Sequence, residues 1–266
     1  VPAVTRIVYC TVNNDALKLD VFAPRHFKGP LPAVVMLHGG GWASGDRSMH
    51  VPMAERLAAK GYIAVTVTYR LSTSALYPAA VNDAKTAIKY LRANANKYNI
   101  DPGKIAIWGF SAGGQLAALL GVTGNNALFK GDDCYAHYSD AVQAIIDVDG
   151  ILAFIHPESG EGDDSKRPSA ATRWFGAPKT TAAALWQQAS ALNYIGPDTP
   201  PTLFLNSSVA RMHAGRDDMI RKMDSLRIYH EVHTFKDAPH PFIMFNPWFE
   251  PCVDYTVTFL NKIFKQ

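Results

Sequence analysis

A chain of 266 residues in which 48% of side chains are hydrophobic and 18% charged can bury one large core but is short for two, so a single domain over 1–266 is expected. The formal net charge is only +3 and the basic residues are dispersed, which excludes the electrostatic footprint of a nucleic-acid or anionic-membrane binder. No apolar run approaches the roughly 20 residues that span a bilayer, which excludes a helical membrane span and predicts a soluble protein.

The chain begins at Val1 rather than Met, which points to a processed or omitted leader and to a secreted or periplasmic protein. An antiparallel edge is predicted over 6–21. Short β-branched and apolar runs then predict buried strands at 16–21, 32–37, 62–69, 104–108, 144–148, 202–205 and 231–235. Helical patterns separate them. The clearest sets Val81, Ala84, Ile88 and Leu91 on one face and Asp83, Lys85, Lys89 and Arg92 opposite. Alternating strands and helices imply parallel strands joined by right-handed crossovers, hence an α/β fold with a mostly parallel, doubly wound sheet covered by helices. The stretch 156–181 breaks the rhythm with Gly, Pro, Ser and mixed charges. Ligands bind beyond the carboxyl ends of such strands, so this excursion is expected as a lid-like wall over the site, with a plain solvated loop as the alternative.

Three segments carry chemistry. After the strand at 32–37 comes His38-Gly39-Gly40-Gly41-Trp42, a glycine-rich loop that lets backbone N–H groups converge. After the strand at 104–108 comes Gly109-Phe110-Ser111-Ala112-Gly113, a G-x-S-x-G turn leading into a good helix former. Such a turn raises Ser111 above the sheet as a nucleophile. The amides of Gly40, Gly41 and Ala112 are then the expected oxyanion hole. The last predicted strand leads into Asp237-Ala238-Pro239-His240, placing His240 as general base after the serine in chain order. Neither glycine cluster reads as a nucleotide-binding pattern.

These motifs, with Tyr69-Arg70 ending its strand and Tyr77-Pro78 preceding a helix, resemble the esterase and lipase branch of the α/β-hydrolases that contains hormone-sensitive-lipase-like and feruloyl-esterase-like enzymes. Within that branch, 147–159 and 213–220 look like bacterial esterases of plant cell-wall polysaccharides. The resemblance implies removal of small acyl groups, acetate above all, from xylan or pectin through an acyl-enzyme, with no metal or organic cofactor. It also implies an Asp a few residues beyond the strand ending at Leu205, yet 206–212 contains no carboxylate. Asp217 and Asp218 come next, at the start of a predicted helix whose inward positions include Ile220, Met223 and Leu226 or Arg227. On that spacing Asp217 is favoured as the acid orienting His240, with Asp218 second, and Asp237 and Asp149 as outside candidates. Either helix acid could equally serve only the helix dipole.

Other residues read more plainly. Trp42 is expected to flank the acyl pocket and favour small acyl groups, whereas Trp174, Trp186 and Trp248 fit packing better than a sugar-binding cleft. Glu158, Glu161, Asp163 and Asp164 lack calcium-loop spacing and read as a solvated loop. Cys134 and His137 have no second metal-binding pair and read as ordinary residues. Cys10, Cys134 and Cys252 allow one bridge and one free thiol. For His213, substrate contact and structural hydrogen bonding fit equally. The same machinery would serve a feruloyl esterase, a general carboxylesterase or an amide-cleaving hydrolase, and a catalytically silent binding protein is the non-enzymatic alternative.

Overall fold

Residues 3–265 are described in a computed structural model of the chain, and the reading of Val1 lies outside them. An eight-stranded sheet is built from β1 (Ala3–Val12), β2 (Asp15–Ala23), β3 (Leu31–Leu37), β4 (Ile63–Val67), β5 (Ile100–Phe110), β6 (Ala144–Val148), β7 (Thr202–Asn206) and β8 (His230–Thr234). Their order is β1-β2-β4-β3-β5-β6-β7-β8. The β1–β2 and β2–β4 pairs are antiparallel and the rest parallel, the topology of an α/β-hydrolase with an antiparallel N-terminal edge. The central strands are buried along their whole length, apart from Leu31 at the start of β3, because helices cover both faces. With a side-chain period of two, Val35, Leu37 and Ile107 join one core, while Val34, Met36, Trp108 and Ile146 join the other.

The helices are α1 (Val51–Ala59), α2 (Ala79–Ala93), α3 (Ala95–Tyr98), α4 (Ala112–Val122), α5 (Ala170–Phe175), α6 (Lys179–Gln188), α7 (Arg216–Ser225) and α8 (Phe249–Phe264). None is long and apolar enough to cross a membrane.

The polar face expected on α2 does not meet solvent. Asp83, Lys85 and Lys89 are buried because the connection 123–142 folds over them. Each finds a partner there or nearby. Arg70 forks onto both oxygens of Asp83, and Lys85 Nζ donates to Asp140 Oδ1 at 2.9 Å and to the Thr123 carbonyl at 2.7 Å. A charged helix face signals exposure only when nothing of opposite charge can cover it. Cys134, read as an ordinary residue, is bonded to Cys10, so this connection is tied covalently to β1, while Cys252 is a buried free thiol.

Within the same cluster, burial and the neighbouring Asp83 push the Asp132 carboxyl up to about 7, against the opposing pull of Arg70. Since its native pKa lies above the usual carboxylate value, its contribution to stability is full at low pH and is lost as pH rises towards 7. Asp132→Asn is therefore expected to leave Tm unchanged near pH 3.5, below the ordinary carboxylate value, and to raise it by about 3 °C at pH 8, on the order of 1 kcal/mol for a chain of this size. Thermal unfolding at the two pH values checks this, and an equal shift at both would count against it.

Candidate active site

The turn between β5 and α4 follows from its glycines. A Cβ on Gly109 would stand 1.9 Å from the Gly113 carbonyl oxygen, so strand and helix close around Ser111 only because that side chain is absent. Ser111 is held at φ 56°, a left-handed conformation that costs a non-glycine residue energy and lifts its hydroxyl off the sheet. Trp42 at φ 59° and Asp149 at φ 50° share this strain, and the three positions border one site.

His240, at the head of a short 3-10 turn after β8, offers Nε2 to Ser111 Oγ at 2.8 Å. Its ring lies over Phe110 with centroids 5.1 Å apart. The other ring nitrogen, Nδ1, is 2.9 Å from Asp149 Oδ2. Asp149 is therefore the carboxylate that meets His240, and Asp217 is not. Asp149 follows β6, which lies beside β7, and its backbone N–H donates to the Leu205 carbonyl at the end of β7. The carboxylate is fully buried, and its Oδ1 accepts from the Ser207 N–H at 2.9 Å.

The expectation for Asp217 fails because α7 is rotated about one residue from the predicted face. Met219 and Met223 are its buried positions, and Leu226 is exposed. The inward face continued one turn back carries Arg216, which leaves Asp217 59% exposed and paired with that arginine at 2.9 Å. Asp218 is engaged by His156 Nε2 at 3.0 Å and by Arg221. Asp237 is exposed in a turn. The stretch 206–212 holds no acid, and Asn206 and Ser207 instead bind the acid of the neighbouring strand.

Gly41 and Ala112 line the cavity that contains Ser111, and Gly40 stands just behind them, its carbonyl accepting from the N–H groups of Ala43 and Ser44. At φ 120°, a Cβ on Gly40 would come within 2.2 Å of the Ser44 carbonyl oxygen, so this loop conformation belongs to glycine. Trp42 borders the same cavity. It is fixed by a hydrogen bond from Nε1 to Gln115 at 3.0 Å and by stacking on Trp174 at 4.8 Å. Trp174 and Trp186 are fully buried and serve packing.

The cavity, about 190 Å³, is completed by Ile151, Met212, Ala170 and Glu161. Glu161, read above as part of a solvated loop, thus reaches the site. Its Oε2 accepts from the Ala171 N–H at 2.9 Å, which anchors the excursion to the start of α5. The stretch 156–181 contributes Glu161 and Ala170 to the wall, and it is partly helical rather than a plain loop. His213 sits half-buried beside the site, where burial and the Arg216 guanidinium hold its pKa below the ordinary value. Among the described residues no group of three or more His, Cys, Asp or Glu side chains is arranged to hold a metal ion.

This geometry finds company among known proteins. The model of the BD-FAE family matches residues 19–231. Esterase LipC of Mycobacterium tuberculosis is 36% identical over 122 residues, 45% of this chain and 30% of that protein. Carboxylesterase NlhH of the same organism is 38% identical over 119 residues, 43% of this chain and 37% of that protein. The chain thus spans about a third of the length of these curated relatives. The butyrate-bound structure of a thermophilic esterase from Thermogutta terrifontis superposes with a TM-score of 0.80 at 25% identity, covering 99% of this chain and 94% of that one.

Proposed function

The chain belongs to the BD-FAE family, and from that premise we propose that it is a serine carboxylester hydrolase that removes acetyl or other small acyl groups from plant cell-wall polysaccharide. The observation that carries this reading is the unbroken hydrogen-bonded chain Ser111–His240–Asp149 beside the Gly41 and Ala112 amides.

In this mechanism Ser111 Oγ attacks the ester carbonyl carbon while His240 Nε2 takes the hydroxyl proton. Asp149, ionised and hydrogen-bonded to Nδ1–H, fixes the tautomer and stabilises the imidazolium. The carbonyl oxygen gains negative charge in the tetrahedral intermediate, which the N–H groups of Gly40, Gly41 and Ala112 are assigned to stabilise, each donor contributing roughly 3 kcal/mol. Collapse breaks the bond to the alcohol oxygen, and His240 returns the proton to that alcohol. Water then enters by the reverse sequence and releases the acid. These steps require no metal or organic cofactor.

The Trp42 wall favours a short acyl group, and the Glu161 carboxylate supplies an acceptor for the hydroxyls of a sugar. A disulfide between Cys10 and Cys134 suits an oxidising compartment, and we assign the protein to the secreted or periplasmic space.

The test is acetate release from acetylated xylan and acetylated pectin, beside 4-nitrophenyl acetate, a feruloyl ester and a formamide. Acetate from either polymer is the expected result. Turnover of the small ester alone would keep the hydrolase and remove the polysaccharide. Preference for the feruloyl ester or the formamide would reassign the bond, and inertness towards all of them would leave a binding protein.

A further inference from the structure

The relation between Asp149 and the residues standing where an acid was expected has a further consequence, one that rests on the hydrolytic reading above. Asp149 is a fully buried carboxylate, and a buried charge persists only where it is paired and hydrogen-bonded. Oδ2 faces His240. Oδ1 receives the Ser207 N–H at 2.9 Å and, at 3.5 Å, the side-chain amide Nδ2 of Asn206, itself completely buried at the end of β7. The amide oxygen of Asn206 accepts from Arg216 Nη1 at 2.9 Å.

An amide has two orientations, and only one suits an anion. With its NH2 group towards Asp149 it donates, whereas the flipped form sets a carbonyl oxygen against a carboxylate. A guanidinium has donors and no acceptor, so Arg216 can be satisfied by Asn206 only through the amide oxygen. Arg216 thereby excludes the flipped form. It is itself oriented by the inward face of α7 and by Asp217 at 2.9 Å. The neighbouring carboxyl of Asp147, completely buried, is pushed by that burial well above the usual range, and its Oδ1 accepts from the Gly150 N–H at 2.7 Å. Arg216 thus reaches Asp149 at one remove, through the Asn206 amide.

We propose that Arg216 and Asn206 are positioning residues acting in series, Arg216 locking the Asn206 amide with its donors towards Asp149 and Asn206 holding that carboxylate aimed at His240. A chain acting in series leaves a signature that independent structural roles do not: once Asn206 is removed, the loss of Arg216 costs nothing more.

The experiment is a double-mutant cycle on 4-nitrophenyl acetate hydrolysis with Arg216→Met, Asn206→Ala and the double variant. The downfield proton resonance of the His240 Nδ1–H is recorded for each by NMR. Arg216→Met keeps the aliphatic stem and is expected to lower kcat about tenfold with KM within about twofold, and the double variant to match Asn206→Ala alone. Arg216→Lys, which keeps a donor, should recover part of the loss and guards against a folding defect. Losses that multiply, or Arg216→Met with wild-type kcat and an unshifted resonance, would overturn the proposal. Lack of Ser111-dependent turnover in the wild type would instead remove the hydrolytic reading. The resonance would still decide the relay: a shift in Arg216→Met supports it, and none rejects it.

Discussion

Ser111→Ala is expected to lower kcat by about a million-fold while leaving the circular dichroism spectrum and Tm unchanged, as loss of the nucleophile does in comparable triads. The size of the effect follows from the arrangement. His240 Nε2 has one hydroxyl within reach, at 2.8 Å, and without it the imidazole can at best activate a water with no attachment to the backbone. The fold should not register the change, since Ala tolerates the left-handed φ no worse than Ser and the hydroxyl is only partly buried. Hydrolysis of 4-nitrophenyl acetate by freshly purified variant and wild type measures the ratio. A variant within about tenfold of wild type would place the nucleophile elsewhere and dismantle the mechanism.

The second large effect concerns the acid. Asp149→Asn is expected to lower kcat by about 10⁴-fold, because an amide at that position stabilises the wrong imidazole tautomer and offers no charge to the imidazolium. Asp217→Asn should change kcat by about threefold at most, since its carboxylate is largely exposed and its ion pair with Arg216 is the kind that contributes little. The contrast between the two variants is the measurement. Equal losses, or a larger one at Asp217, would return the role to the helix acid.

The site was unevenly legible. Ser111, His240 and the glycine loop each depend on local chemistry: a turn that admits no side chain at Gly109, a loop that needs Gly40 at positive φ, and a histidine beyond the last strand. Short-range sterics write such features into a few consecutive residues. Asp149 carried a weaker signal, an Asp-Gly pair after β6, and it stood only among outside candidates because the family resemblance placed the acid after the following strand. What selects it is the lateral neighbourhood of β6 and β7, a contact between residues 58 positions apart. Asp217 misled because the face of α7 was read from Ile220 rather than Met219. One residue turns a helix by about 100° and carries an acid from core to solvent.

The strands, their parallel course and the loops that carry Ser111 and His240 were legible in the sequence alone, because strand burial, helix period and turn sterics act over a few residues and leave a local trace. Tertiary structure alone decided which carboxylate meets His240, that Glu161 joins the cavity, that charged residues of α2 are buried, and that Cys10 finds Cys134. Each of these depends on which distant segments pack side by side, and pairwise proximity across the sheet has no periodic trace in the chain.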